Sequence, residues 1–470
     1  MKKENQQEPS RRQFLSTLGK TGALAVPMMV PGAVLGKDGQ LPPSERITIA
    51  VLGVGNRGRG SIGAMRPLPD HQVVAIAEAR EDRGLSACRD VESFYSNRLG
   101  KESYKGCKLY RDFRDILLRD DIDAVWGTIC DHWHGPLYSR IIESGKDIYG
   151  EKPLTRWVGQ GIKVKKLVRQ YGTIFQVGTQ QRSEPHFRLA CMLARNGYLG
   201  KISEVQVAAP GGTKIPAVPS CDPPKGFDWD MWSGPAPLLP FDPRRVEWLG
   251  LYMIEHYCAG FITNWGVHHL DIAGWGVPEV FEKPFWLDGS GVLPDSGMAD
   301  TWISWQMTMN YDSGLVMKFV NSGNPYKQGC KFIGDEGWVH VNRSGITASN
   351  PKLLGLAAPT ESDGTAFLKT NDPRLFAVKL TDAKEQLHVS PYYPGAYTAH
   401  TADFFQSMRT RKDPVSPVEQ GHYATTLGNI SDICLRLGRK LRWNPAKDEF
   451  VNDDEANLMR FRAERSPWTM

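Results

Sequence analysis

The chain has 470 residues, 41% of them hydrophobic and 23% charged, with a formal net charge of +5. That length exceeds what one hydrophobic core usually supports and predicts two domains with terminal extensions. The composition excludes a fibrous or disordered chain, and no apolar run is long enough to remain in a bilayer as a span. Residues 1–43 hold six basic side chains against three acidic ones and so carry +3 of the +5; the nearly neutral remainder has no basic stripe and gives no footing for nucleic acid.

In chain order, Ser10-Arg11-Arg12-Gln13-Phe14-Leu15 comes first, followed by an apolar stretch, Thr21 to Gly36, that is interrupted by Pro27 and Pro31. The pattern resembles a twin-arginine export signal and predicts a periplasmic protein without stable membrane insertion. No Ala-x-Ala sequence marks a cleavage site, which stays open. The eight cysteines include no CxxC pair and no close cluster, which argues against a zinc site and a small disulfide scaffold. They read as mostly buried free thiols, with one or two bridges open in an oxidising compartment.

After the linker Pro42-Pro43-Ser44, the run Ile47 to Leu52 reads as a buried parallel strand that ends at Gly53-Val54-Gly55-Asn56-Arg57-Gly58. Gly53 serves a tight turn, Gly55 a close approach to pyrophosphate, and Gly58 the packing of the next helix, whose first amides face the phosphates. A second strand, Val73 to Ala77, ends at Glu78, placed to bond both ribose hydroxyls and to repel a 2′-phosphate. NAD is therefore favoured, with NADP as the alternative should Glu78 swing aside and Arg57 or Arg80 pair with the phosphate. A fourth-position strand, Ile122 to Thr128, leads into the turn Asp131-His132-Trp133-His134, a helical stretch from Leu137 to Ser144, and a short strand, Asp147 to Gly150. The last delivers Glu151-Lys152-Pro153 at the carboxyl end of the sheet, where ligands of doubly wound folds lie.

These three motifs together resemble the Gfo/Idh/MocA oxidoreductase family. The likeness continues through Phe175 to Arg182, Trp229 to Pro235, Trp265 to Asp271 and Leu435 to Leu441, and covers about residue 44 to the end. It implies an α/β chain: an N-terminal Rossmann domain with a doubly wound parallel sheet (residues 44–180), then a C-terminal α/β domain with an open, mostly antiparallel sheet (181–470) that faces the nicotinamide and often mediates homo-oligomer contacts. The residues agree. Ile303, Trp305, Met307, Met309 and Tyr311 alternate with polar ones, Asp312-Ser313-Gly314 turns, and Leu315, Met317 and Phe319 alternate again. A second hairpin reads from Phe332 to Trp338, and an ordered loop beside the site from about Pro210 to Gly250. Helices are expected over Tyr397–Arg411 and Pro417–Leu437, leaning back on the first domain.

Oxidising a secondary alcohol needs a group that takes the hydroxyl proton and a cation that steadies the alkoxide. The resemblance gives Lys152 the second role. His268 suits the first, since imidazole titrates near neutrality. The family pattern Asp-x-x-x-His is altered here, because its first position is Asn264, which orients a partner but takes no proton. Around the cofactor the resemblance adds Asn56, Asp131, His134 and Glu151, with Trp133 packing beside His134. Gln181, Arg182, His256, Tyr257 and His269 are candidate substrate contacts, with capping, interdomain or structural roles as the plain alternative. No metal is expected: His132/His134 and His269/Asp271 lack zincin spacing, and hydride chemistry needs none. An exported enzyme meets little free NAD, so a tightly held, recycled cofactor is expected, acting on a sugar or glycoside. Two outcomes stay open, a 3-keto-glycoside or glycoside hydrolysis through transient oxidation; a sugar or dinucleotide sensor is the non-catalytic alternative.

Overall fold

In the computed structural model, which describes residues 45–100, 102–355, 364–378, 380 and 382–470, the run Ile47–Leu52 forms β1, the buried centre of a parallel sheet. The Arg11-Arg12 motif, the apolar stretch after it and the Pro42-Pro43-Ser44 linker lie outside the described residues. Around β1 are β2 (His71–Ala77), β3 (Lys108–Tyr110), β4 (Ala124–Gly127), β5 (Asp147–Gly150) and β6 (Phe175–Val177), in the order β3-β2-β1-β4-β5-β6. Every pairing is parallel. The order reverses between β1 and β4, which opens a crevice beyond their carboxyl ends. The helices α1 (Asn56–Met65), α2 (Glu81–Leu99), α3 (Asp131–Glu143) and α4 (Val158–Tyr171) connect the strands.

One boundary differs from the sequence reading. The Asp131-His132-Trp133-His134 segment is the first turn of α3, not a turn before it. Pro136 falls early in the helix, where a missing N–H removes a single ladder bond, and Asp131 places negative charge at the amino end of the helix dipole.

Among the described residues the second sheet has ten strands. It is built from β7 (Ile202–Ala209), β8 (Phe285–Val292), β9 (Ser304–Tyr311), β10 (Val316–Asn321), β11 (Gly329–Gly334), β12 (Gly337–Asn342), β13 (Gly345–Ala348), β14 (Ala366–Lys369), β15 (Leu441–Asn444) and β16 (Glu449–Phe450). The order is β14-β13-β12-β11-β7-β10-β9-β8-β15-β16, with only β7 and β10 parallel. Both expected hairpins form, β9–β10 around Asp312-Ser313-Gly314 and β11–β12 around Asp335-Glu336. Trp305, Met307, Met309, Met317 and Phe319 share the buried face, as period-2 alternation requires. Beneath that face lie α5 (Pro185–Arg195) and α6 (Gly266–Gly276).

Two further helices follow: α7 (Ala396–Thr410) packs on the first sheet, and α8 (Val418–Leu437) reaches the cores of both. Phe404 and Phe405 of α7 pack edge-on against Trp126 of β4, with ring centroids 5.2 and 5.8 Å apart. Arg411, just past α7, pairs with Asp147 at the start of β5. Leu427, Ile430 and Ile433 of α8 are buried in the core of the second sheet, and Val418 in that of the first. Each such side chain contributes about 2 kcal/mol by leaving water, enough to hold the crevice against the second sheet.

Candidate active site

The glycine turn sits at the carboxyl end of β1. Gly53 has φ +82°, and a Cβ there would meet the Thr128 carbonyl oxygen at 2.6 Å. At Gly58 a Cβ would meet the Gly53 carbonyl oxygen at 2.1 Å, so α1 rests directly on the turn. Gly55 differs from both: nothing lies within 4 Å of its Cβ position, which faces open space. Asn56 opens α1 beside that space, and the first amides of a helix favour an anion. The turn therefore fits a pyrophosphate.

From it a cleft of about 490 Å³ runs in two directions. One end is bounded by Glu78, Arg83, Arg111 and Phe113, the other by Glu151, Lys152, Asn264 and Tyr252. Glu78 accepts the Val54 amide at 2.8 Å and the Arg80 amide at 3.0 Å, which fixes its carboxylate at the end of β2 as an acceptor for ribose hydroxyls. The two cations considered for a 2′-phosphate are engaged elsewhere. Arg57 pairs with Glu151 at 2.5 Å and lies over the Tyr397 ring, while Arg80 pairs with Asp82 and lies over Phe227. Arg83 and Arg111, which the sequence reading passed over, are basic side chains at the same end of the cleft as Glu78.

A strap, residues 226–234, crosses this cleft. Glu81 donates its amide to the Gly226 carbonyl and Asp228 its amide to the Ala79 carbonyl, both at 2.9 Å, which fastens the strap beyond β2. Three and four residues past Asp228, the Met231 and Trp232 carbonyls accept from Trp133 Nε1 of α3 at 3.0 and 3.2 Å, beyond β4. Because β1 lies between β2 and β4, the strap passes over the glycine turn, and Met231 and Trp232 line the cleft beneath it. The C-terminal segment latches it. Arg465 donates to the Gly234 carbonyl at 2.9 Å and pairs with Asp230 at 2.6 Å, and Trp468 packs edge-on against Trp133 at 5.3 Å.

At the other end β5 presents Glu151 and Lys152, and the Lys152–Pro153 peptide is cis. Glu151 is clamped by Arg57 and by Gln180 Nε2 at 3.2 Å. Lys152 Nζ donates to the Asn264 carbonyl at 3.0 Å and to its Oδ1 at 2.8 Å. Asn264 Nδ2 in turn donates to Asp131 Oδ2 at 3.1 Å. The amide thus joins a cation to a carboxylate that sequence reasoning had assigned to the cofactor. Burial lowers the Lys152 pKa below its ordinary 10.5, against the pull of Asp131 and Glu151. His268 stands beside this cluster with an unpartnered Nδ1. Burial, then the cations of Arg343 and Lys152, holds it well below the usual imidazole range, so it is neutral at neutral pH.

Neither His268 nor the remaining predicted residues are among those that line the cleft. Buried His134 bridges the Pro153 carbonyl at 2.5 Å and the Ile129 carbonyl at 3.2 Å, beneath the Glu-Lys-Pro turn. Arg182 forms a buried two-bonded pair with Asp271 at 2.7 and 2.8 Å. Tyr257 packs against His132 and Trp232, and His256 neighbours Arg462 and Asp300. Gln181 and His269 are buried with unpartnered amide atoms and ring nitrogens. Among the described residues no group of three or more His, Cys, Asp or Glu is placed to hold a metal, and no helix is long and apolar enough to cross a membrane.

A doubly wound sheet with a glycine turn, a carboxylate ending β2 and a lysine ending β5, facing an antiparallel sheet, defines a nicotinamide-dependent oxidoreductase fold. The chain belongs to the Gfo/Idh/MocA family: residues 47–179 match its NAD-binding Rossmann fold and residues 354–470 its C-terminal alpha/beta domain. It is 23% identical over 305 residues to an inositol 2-dehydrogenase of Rubrobacter xylanophilus, covering 63% of this chain and 72% of that one. Two further relatives match over shorter stretches. The uncharacterized oxidoreductase YrbE of Bacillus subtilis is 24% identical over 157 residues, 33% of this chain and 42% of that one. A glycosyl hydrolase family 109 protein of Shewanella pealeana is 27% identical over 164 residues, 32% and 35%. The chain thus spans less than half the length of these two relatives. Among solved structures it shares the fold of the aldose-aldose oxidoreductase of Caulobacter crescentus complexed with glycerol (TM-score 0.59, 16% identity, 85% and 100% covered). It likewise shares that of a levoglucosan dehydrogenase in complex with NADH and levoglucosan (TM-score 0.57, 16% identity, 86% and 99% covered).

Proposed function

We propose that the chain is an exported, periplasmic oxidoreductase that acts on a secondary hydroxyl of a sugar or glycoside, at C3 to give a 3-keto-glycoside, and keeps its NAD bound between half-reactions, the second of which passes the hydride to the carbonyl of another acceptor. The observation that carries this is Lys152, set in one continuous cleft with the glycine turn. Bound in that cleft, NAD supplies a ring that accepts hydride from a carbinol carbon. Asn264 aims Lys152 Nζ through two hydrogen bonds, so that the ammonium meets the reacting oxygen and steadies its developing charge. His268, neutral and with a free ring nitrogen, takes the hydroxyl proton and returns it on reduction. The strap, fastened at both margins, supports a cofactor that stays in place while one substrate leaves and the next enters. Exposed Trp286 and Val292 on β8 support a second copy docking on the ten-stranded sheet.

A second reading, glycoside hydrolysis through transient oxidation, elimination and re-reduction, is favoured by the family 109 relative. One experiment addresses both. Purified full-length protein is assayed by mass for co-purifying NAD and incubated with p-nitrophenyl glycosides. Keto-glycoside signals the first reading, and free sugar without net NADH the second. Lys152→Met abolishes either. With the lysine acting as a cation, activity is present below its pKa and falls as pH rises through it, at a pH below 10.5. Full turnover in Lys152→Met, or a rate that climbs through the same range, overturns the assignment.

A further inference from the structure

The segment rich in Pro, Gly and Trp supplies a wall of the cleft that the chemistry above does not use. Trp248 is 57% exposed yet lines the same cleft as Lys152. It opens the short helix Trp248–Met253, and Tyr252, four residues on, shares its face. The two rings meet edge-to-face at 6.1 Å, and Tyr252 meets Phe261, three residues before Asn264, at 6.0 Å. The Tyr252 hydroxyl has no hydrogen-bond partner among the described residues. Burial and the nearby Asp131 carboxylate raise its pKa, so it stays protonated as a donor.

One helical turn, about 5.4 Å, separates the two positions, close to the length of one sugar ring. A monosaccharide held between Lys152 and Tyr252 leaves Trp248 uncovered, whereas a ring attached to that sugar extends onto it. Large exposed aromatics are costly in water and are characteristic of stacking surfaces. Val246 and Leu251 continue the wall and carry no charge.

Resting on the reading of Lys152 as the reaction centre, we propose that Trp248 and Tyr252 select glycosides over free sugars. Trp248 stacks on the ring linked to the reacting sugar, and Tyr252 donates a hydrogen bond to a hydroxyl of the reacting sugar itself. Tyr252 is a substrate contact, and Trp248 determines specificity.

The test compares full-length wild type with Trp248→Ala, Trp248→Phe and Tyr252→Phe, on p-nitrophenyl glycosides and the matching free sugars. In Trp248→Ala, KM for the glycoside rises about tenfold with kcat unchanged, while kcat/KM for the free sugar moves by less than about twofold. Trp248→Phe recovers most of the loss, and Tyr252→Phe lowers kcat on both substrates. Equal effects on glycoside and free sugar, or no effect on either, overturn the proposal. So does a change of sedimentation coefficient in Trp248→Ala, which would mean that a second copy covers the ring. If wild type turns over neither substrate, the reaction reading fails on its own. Calorimetric binding of the same glycosides to NADH-loaded protein then decides the wall: weaker binding in Trp248→Ala upholds it, and equal or absent binding sinks it.

Discussion

Replacing Arg465 by alanine removes the latch of the strap without touching the cleft. The guanidinium donates from Nε to the Gly234 carbonyl at 2.9 Å and from Nη2 to the Asp230 carbonyl at 3.0 Å. Bonds of this kind are worth about 1 kcal/mol each once exchange with water is counted. The ion pair with Asp230, at 2.6 Å, involves a carboxylate that is 54% exposed and adds at most about 0.5 kcal/mol after screening. A loss of about 2 kcal/mol in strap closure corresponds to about 30-fold. The assay preloads the protein with NADH, mixes it with excess NAD and follows the decay of bound-NADH fluorescence. Arg465→Ala releases NADH about 30-fold faster, and Arg465→Lys, which keeps the charge but not the fork, falls between. An unchanged release rate alongside a lowered urea midpoint would mean that the C-terminal segment braces the fold but does not gate the cofactor.

Three further outcomes follow from the site. Gly55→Ala folds normally, since its Cβ position is open and its φ is −64°, yet weakens NADH about tenfold by filling the phosphate space; Gly58→Ala, 2.1 Å from a carbonyl oxygen, loses about 3 kcal/mol in urea unfolding. Glu78→Ser opens the end of the cleft that Arg83 lines and raises the NADP-to-NAD ratio of kcat/KM at least about tenfold; an unmoved ratio would leave Glu78 only its bonds to the Val54 and Arg80 amides. Asp271→Asn strands the buried Arg182 charge and costs about 3 kcal/mol, whereas the double change Arg182→Met with Asp271→Leu costs less; a raised sugar KM with intact stability would restore Arg182 as a substrate contact.

How much was legible in advance follows the range of the interactions. The strand Ile47–Leu52, the glycine turn, the carboxylate ending β2 and the β9–β10 hairpin are local patterns, and the structure has them at the expected residues. Contacts between distant parts of the chain leave no such trace. Lys152 and Asn264 are 112 residues apart, and Asn264 and Asp131 are 133 apart, so nothing in either motif reveals that one amide links them. Arg182 reads as a polar residue at the start of the second domain, and only the fold supplies Asp271. Trp248 and Tyr252 were hidden differently: in a stretch crowded with proline and glycine, a six-residue helix has too few turns for its periodicity to stand out.

The latch also sets an order of events in the life of the chain. Arg465 follows Asp230 by 235 residues, and at roughly 5–20 residues per second a ribosome needs on the order of ten seconds or more to make that length. The nucleotide crevice, whose strands all precede residue 180, is synthesised well before the segment that bars its mouth. A dinucleotide that enters during this interval meets an open crevice, and one that arrives later meets a fastened strap. On the proposed reading of a retained NAD, cofactor content would then be decided largely at birth rather than by exchange in the mature protein.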